Sequence, residues 1–206
     1  MTLSRREFSF CLASAVVLTA VPGFSPAWAQ GDPAVATVQG FYDALLAQMK
    51  KGGPAKGRYE MLKPAVEKAF DLPGMTAVAV GTGWAGLSDA DKKSLTDAFG
   101  RMTIANYVKN FDSFGGEKFT VDPASIARPP STDKLVKSTL KTGSDTIPFN
   151  YRMHEVGGAW KIEDIYLNGN ISQMAQRRSD FSATFAASGA AGLAKKINAL
   201  ADQMLA

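Results

Sequence analysis

The sequence has 206 residues, of which 46% are hydrophobic and 20% are charged, with a formal net charge of +4 and a single cysteine. This composition is typical of a globular protein and excludes fibrous and intrinsically disordered chains. The small net charge gives no reason to expect nucleic-acid binding, which requires clustered basic residues on a strongly basic domain.

The beginning of the chain has the pattern of an export signal. Arg5 and Arg6 precede an uncharged stretch, residues 8–21, and a small-x-small triplet, Ala27-Trp28-Ala29. This pattern predicts a signal peptide over residues 1–29 that is cleaved on secretion. The two arginines resemble the twin-arginine export signal, and we expect a periplasmic protein by either export route.

The mature chain, residues 30–206, is expected to form one domain. The only cysteine, Cys11, lies in the predicted leader, so the mature chain has no disulfide, thiolate nucleophile or cysteine-ligated metal. No stretch of it approaches the roughly 18 apolar residues that a membrane-spanning helix needs. No linker divides it, and one sizeable core is therefore expected.

Helical periodicity dominates the first half of the mature chain. Residues 32–51 place apolar side chains at intervals of three and four, which predicts an amphipathic helix ending at Gly52-Gly53-Pro54. Helical spacing resumes over residues 58–70, and a short helix begins near Asp71. Ser88, with an acidic residue three positions later, predicts the N-cap of a long helix.

The period changes to that of β-strands after residue 116. Short runs rich in β-branched and aromatic residues cover residues 118–122, 126–128, 135–142, 146–156 and 159–167. Gly157-Gly158 predicts a tight hairpin turn, and helical spacing returns after Asn170. Helices, then strands, then helices indicate an α+β fold, with helices packed on an antiparallel sheet of about four to five strands.

Few residues are suited to catalysis or cofactor binding. His154 is the only histidine and alternates out of phase with Tyr151, so we expect it to face solvent, and we predict no metal site. Asp164 shares the inward phase of Ile162, where it either holds a turn by hydrogen bonds or acts as a general base with a raised pKa. Residues 81–86 match the spacing G-x-G-x-x-G, but a long helix follows them and no βαβ unit can be drawn. We therefore expect no cofactor.

The apolar residues have two possible roles. Twelve Phe, five Tyr, three Trp and eight Met either fill an ordinary core or line an apolar cavity between the helices and the sheet. Residue types and spacing alone leave both roles open.

A family resemblance appears in the second half of the chain. The segment Gly158-Ala159-Trp160-Lys161-Ile162-Glu163-Asp164-Ile165, followed by Gly169 and Arg178-Ser179-Asp180-Phe181, resembles the MlaC family of periplasmic lipid-binding proteins, also called toluene-tolerance proteins. Further family positions occur upstream in the same order: Phe70-Asp71, Gly81, Trp84, Ser88, Phe99 and Tyr107. Asn168 and Asn170 depart from the acid and the apolar residue that family members more often carry around this glycine.

The resemblance implies a non-enzymatic carrier of phospholipid or hopanoid-type lipid, because one branch of the family (HpnM) accompanies hopanoid biosynthesis. It also implies a monomer that shuttles lipid between an inner-membrane ABC transporter, with its lipid-binding ring protein, and an outer-membrane lipoprotein complex. Exposing about a dozen methylenes to water costs on the order of 10 kcal/mol, so a diffusing lipid needs a carrier. By position, the predicted lipid-lining residues are Trp84, Phe99, Met102, Tyr107, Phe149, Tyr151, Met153, Trp160 and Ile162.

Two other classes of protein stay open. One is a small enzyme on a cone-shaped α+β scaffold, in which Asp164 or Tyr151 acts on an apolar substrate. The other is an envelope interaction module with a filled core and no ligand. A basic cluster near the first loop is either a docking surface or a solvated charge run; it comprises Lys50, Lys51, Lys56 and Arg58.

Overall fold

Helices, strands and a final long helix follow one another in the computed structural model, which describes residues 31–206. The predicted signal peptide lies outside the described residues. The helices are α1 (Pro33–Lys51), α2 (Ala55–Ala69), α3 (Leu72–Val80), α4 (Asp89–Asn110) and α5 (Gln173–Leu205), and a 3-10 helix (Gly81–Gly86) precedes α4. The strands are β1 (Lys118–Val121), β2 (Ile126–Ala127), β3 (Lys134–Val136), β4 (Ser138–Thr142), β5 (Asp145–Val156), β6 (Ala159–Leu167) and β7 (Ile171–Ser172).

The helices begin where short polar side chains accept hydrogen bonds from the first turn. Asp32 accepts from the Ala34 N–H at the start of α1, and Ser88 accepts from the Asp91 N–H at the start of α4. Asp71 caps α3 in the same way. The predicted starts of these three helices are therefore confirmed.

The long strand β5 is the centre of a seven-stranded antiparallel sheet. One edge of β5 pairs with β3 and β4, and the other edge pairs with β6. Strands β3 and β4 keep a single register against β5, since Leu135 lies opposite Arg152 and Leu140 lies opposite Ile147. The segment predicted as a single strand, residues 135–142, is thus divided at Lys137 into β3 and β4, which pair with β5 in one continuous register. The sheet therefore has seven strands, more than the four to five expected.

The pairing of β5 with β6 shifts by one residue in the middle of the hairpin. Arg152 lies opposite Asp164, whereas Met153 lies opposite Ile162, so Glu163 is an extra residue in β6. The regular alternation of inward and outward side chains that the sequence predicts for β6 is therefore wrong at Glu163. The predicted turn at Gly157-Gly158 does connect the two strands, with both glycines at positive φ.

The core lies between the helices and the sheet. Helix α1 contacts β1, β3 and β6, while α2, α3 and α5 contact β6. Aromatic rings fill much of this layer: the Phe41 ring lies 5.0 Å from that of Phe70 and 4.9 Å from that of Tyr107, both edge to face. This arrangement confirms the predicted α+β class.

Helix α5 changes direction at Gly189, whose φ of 61° is readily adopted only by glycine. After the bend, Leu193, Ile197 and Ala201 are buried, and α5 packs closely against α4. No helix within residues 31–206 combines the length and apolarity needed to cross a membrane.

Candidate functional site

A groove opens between α4, the strands β5 and β6, and the first turns of α5. It consists of two adjoining cavities of about 340 and 50 Å³, which we call together the α4–β6 groove. The two cavities share five lining residues, Asn106, Tyr107, Ile165, Gln173 and Arg177. The larger cavity lies at the lower end of the range of roughly 300–1,000 Å³ that is usual for small-molecule sites.

The floor of the α4–β6 groove is apolar. Ile165 and Leu167, two residues apart near the end of β6, both line it, as does Phe149 on the neighbouring strand. On α4 the lining residues recur at helical spacing, which brings one face of that helix to the groove. These α4 residues are Phe99, Met102, Thr103, Asn106, Tyr107 and Asn110, and Phe111 follows at the end of the helix.

Three amide side chains and one arginine supply most of the polar groups. Asn106, Asn110 and Gln173 line the groove together with Arg177. Arg177 is the only charged residue lining the groove in the described part of the chain. An apolar floor with a few polar groups at one side is the usual composition of a ligand site.

Asp164 fixes the first turn of α5 beside the groove. Its buried carboxylate accepts hydrogen bonds from the backbone N–H of Ile165 at 2.7 Å and of Met174 at 3.1 Å, and from the Ser172 hydroxyl. The carboxylate also lies at the N-terminus of α5, where negative charge is favoured. Of the two roles considered for Asp164, hydrogen bonding to a turn and backbone is therefore the one observed.

Three tyrosines are buried in the core, and one of them, Tyr107, also lines the groove. Burial raises the pKa of Tyr42 to about 12, although Tyr42 also hydrogen-bonds the Ser138 hydroxyl at 2.7 Å. Burial likewise raises the pKa of Tyr107 and of Tyr151. These phenols stay neutral at neutral pH, and the Tyr151 hydroxyl is fully buried without a hydrogen-bond partner in the structure.

The nine predicted lining residues divide into three groups. Phe99, Met102, Tyr107 and Phe149 line the α4–β6 groove. The second group is fully buried in the closed core and consists of Tyr151, Met153 and Ile162. Contact of any of these residues with a ligand stays a prediction.

The two remaining predicted residues, both tryptophans, lie elsewhere. Trp84 is on the 3-10 helix and packs, partly buried, against the core. Trp160 lines a separate cavity of about 210 Å³ beside α1 and α2, and the Lys134 ammonium lies 4.5 Å from its ring centroid. The two tryptophans therefore do not share a site with the four groove residues.

Sequence reasoning missed the polar side of the groove and the end of β6. The missed lining residues are Met75, Thr103, Asn106, Asn110, Phe111, Ile165, Leu167, Gln173, Met174 and Arg177. The available signal was the four-residue spacing of Asn106 with Asn110 and of Gln173 with Arg177, which places each pair on one helix face.

Two polar residues placed at the surface from the sequence are less exposed than that placement implies. His154 does not project freely into solvent, because its Nε2 lies 2.9 Å from the Asp71 carboxylate at the start of α3. Arg58 does not belong to a solvated charge run: it is buried and donates to the carbonyls of Gly53 and Val108. The Arg58 guanidinium thus satisfies carbonyls near the C-terminus of α4.

No group of three or more potential metal-ligating side chains occurs in residues 31–206. Residues 81–86 form a 3-10 helix that follows α3, not a turn between a strand and a helix. Glycine is required at position 83 because α5 packs closely there: a Cβ on Gly83 would lie 2.2 Å from the Phe185 ring.

The helix-on-sheet fold and its apolar groove define a small α+β protein with a site suited to an apolar ligand. The chain belongs to the MlaC family, whose model, described as MlaC protein, matches residues 38–199. This match confirms the family resemblance stated from the sequence. No curated protein matches the chain.

A solved structure from Ralstonia solanacearum has a similar fold. It is described as a phospholipid-binding protein in complex with a phospholipid, and it superimposes with a TM-score of 0.73 at 20% sequence identity. The match covers 85% of the present chain and all of the Ralstonia chain. At this level of identity, the similarity establishes a common fold.

Proposed function

We propose that this protein is a non-enzymatic periplasmic lipid carrier that holds the apolar chain of a phospholipid or hopanoid-type lipid in the α4–β6 groove. The observation that carries the proposal is the apolar floor of that groove in a member of the MlaC family. The phospholipid complex of the Ralstonia protein, which has the same fold, supports it.

The energetics of apolar burial support a carrier role. Each methylene moved from water to an apolar surface contributes about 0.8 kcal/mol, so about ten buried methylenes would contribute roughly 8 kcal/mol before the costs of association. The carrier would exchange this lipid with an inner-membrane ABC transporter and its lipid-binding ring protein, and with an outer-membrane lipoprotein complex. We propose that it does so as a monomer after removal of residues 1–29.

The geometry favours a carrier over an enzyme. Among residues 31–206, no carboxylate lines the α4–β6 groove, and the Asp164 carboxylate is occupied by three hydrogen bonds. Tyr151 is enclosed in the core and has a raised pKa, so it is unsuited to accept a proton from a ligand in the groove.

The test is native mass spectrometry of protein purified from the periplasm without detergent, followed by identification of any bound molecule. We expect a stoichiometric adduct with the mass of a lipid. A protein that carries no adduct and stays free after incubation with phospholipid vesicles and with hopanoid-containing vesicles would refute the carrier function.

Two variants on adjacent strands localise the adduct to the groove. Leu167 lines the groove, whereas its register partner Ile171 on β7 is exposed. Leu167→Glu places a charge among the apolar chains and should abolish the adduct, while Ile171→Glu should retain it. Equal retention by both variants would place the lipid elsewhere on the protein.

A further inference from the structure

The basic cluster near the first loop divides in the structure. Arg58 is buried, and Lys56 lines a separate cavity together with the acidic residue Asp202. Lys50 and Lys51 are exposed in the last turn of α1. These two lysines are therefore the part of the cluster that remains a basic surface.

The end of α4 brings a third lysine to the same end of the helical layer. The buried Gln48 side chain in the last turn of α1 donates to the Phe111 carbonyl at 2.7 Å, which holds the ends of α1 and α4 together. Lys109 is exposed in the last turn of α4. Within residues 31–206, neither Lys109 nor the two lysines of α1 form an ion pair.

An exposed aromatic ring lies beside these lysines. Phe114 follows α4 and is 42% exposed, and the Lys50 ammonium lies 5.1 Å from its ring centroid. Lysines in the last turn of a helix are favoured by the helix dipole, but the dipole gives no reason to leave a large apolar ring in water. We call Lys50, Lys51, Lys109 and Phe114 the lysine–Phe114 patch.

The two carboxylates next to Phe114 in the chain are engaged by their own neighbours. Glu117 accepts a hydrogen bond from the Gly115 N–H at 2.7 Å, and Asp112 accepts one from the Ser113 hydroxyl at 2.9 Å. Neither carboxylate pairs with a lysine of the patch in the described structure. The patch therefore presents three unpaired ammonium groups and one apolar ring.

This composition fits an anionic lipid surface better than a protein surface. Lysine is depleted in protein–protein interfaces, where arginine is enriched, and the cations of the patch are all lysines. Lysines attract anionic headgroups, and a phenylalanine beside them can enter the boundary between headgroups and acyl chains.

The lysine–Phe114 patch borders the α4–β6 groove. Asn110 and Phe111, which directly follow Lys109, line the larger cavity of the groove. Phe114 comes three residues later in the chain. A membrane surface in contact with the patch would therefore lie close to one end of the groove.

We propose that the lysine–Phe114 patch docks the protein on an anionic membrane surface, with its lysines against the headgroups and the Phe114 ring inserted among them. This inference goes beyond the proposed carrier function, because it concerns a surface outside the groove and requires no ligand in it.

The test is flotation of protein purified from the periplasm with vesicles of equal parts phosphatidylglycerol and phosphatidylcholine, compared with vesicles of phosphatidylcholine alone. Docked protein rises with the vesicles, whereas protein that has only extracted a lipid stays in the soluble fraction. We expect flotation with the anionic vesicles alone and its loss at high salt, which screens the attraction. Absence of flotation with the anionic vesicles would overturn the proposal and favour an acidic protein as the occupant.

Two pairs of neighbouring lysines separate the effect of the patch from that of net charge. Lys50→Gln/Lys51→Gln should weaken binding to the anionic vesicles about 30-fold, given the contribution of each lysine near such a surface. Lys195→Gln/Lys196→Gln makes the same charge change at exposed positions of α5 and should bind as the wild type does. Equal weakening by both pairs would show attraction by net charge and overturn the assignment.

Phe114→Ser tests the apolar part of the patch. It should weaken binding about tenfold or more, because the ring no longer leaves water on docking. Val78→Ser is the matched control, since Val78 is 39% exposed on α3, and it should bind as the wild type does. Unchanged binding by Phe114→Ser would overturn the insertion of the ring.

Native mass spectrometry of the same proteins separates this inference from the carrier function. A protein that carries the lipid adduct but does not float would overturn membrane docking alone. A protein that floats but carries no lipid would overturn the carrier function alone. The thermal midpoint of each variant, measured alongside, shows whether its fold is retained.

Discussion

Replacement of Asp164 by alanine should destabilise the protein strongly, because it removes the acceptor that joins β6 to the start of α5. The substitution leaves the backbone N–H groups of Ile165 and Met174 without their partner in a buried environment. The Ser172 hydroxyl also loses its acceptor, but Ser172 is only partly buried and can regain a bond from water. The loss is therefore concentrated in two backbone hydrogen bonds to a charged group.

The size of the effect follows from those two bonds. A hydrogen bond to a charged group contributes about 1.5–3 kcal/mol, and taking the lower value for each gives a decrease of about 3 kcal/mol in the free energy of unfolding. Urea unfolding at pH 7, followed by circular dichroism, measures this free energy directly. The midpoint should fall while the slope with denaturant is unchanged.

Asp180→Ala is the control for Asp164→Ala. Asp180 also belongs to the first half of α5, but it is exposed and its partners are side chains three and four residues away. Such surface contacts contribute at most about 1 kcal/mol. An Asp164→Ala protein as stable as the Asp180→Ala protein would refute the view that this carboxylate anchors α5.

Two further changes have defined expected effects. Partial burial disfavours the Asp32 carboxylate, but hydrogen bonds from Ser125 and the start of α1 outweigh it and lower the pKa of Asp32. The stability contributed by Asp32 is therefore complete above the unfolded-state pKa of about 4 and is lost as pH falls below it. Asp32→Asn should consequently weaken the pH dependence of the urea midpoint between pH 5 and pH 3. Parallel pH profiles for the wild-type and variant proteins would contradict this reasoning. Gly83→Ala should lower stability by about 1–2 kcal/mol, because the new Cβ would lie 2.2 Å from the Phe185 ring. In contrast, Gly86→Ala, with no atom within 4 Å of the new Cβ, should have a small effect when both variants are measured by urea unfolding, and an equal loss in both would be evidence against the steric reason.

Local chemistry made the helix boundaries predictable. Asp32 and Ser88 cap their helices through atoms two or three residues away, so the sequence alone contains both partners. The bend at Gly189 and the extra residue at Glu163 depend on how α5 and β6 meet distant segments. No short window of sequence contains that information.

The candidate site was predictable only in part, for a related reason. Phe149 and Tyr151 have the same phase on β5, yet Phe149 lines the groove whereas Tyr151 is closed off by the surrounding core. Alternation identifies the apolar face of a strand, but the elements that cover it decide which residues reach a ligand. Alternation likewise predicts that His154 faces solvent, but it contains no information on Asp71, the N-cap of α3, which lies far away in the sequence and contacts His154.

The two cavities of the α4–β6 groove are only partly enclosed, and this shape has a kinetic consequence. A ligand lying in an open groove can enter and leave without a prior opening step of the protein. The slow step of exchange is then the passage of the apolar chain through water, whose free-energy cost grows with each methylene exposed. Rapid transfer would require the groove to face its donor or acceptor surface directly, so that the chain slides between two apolar environments.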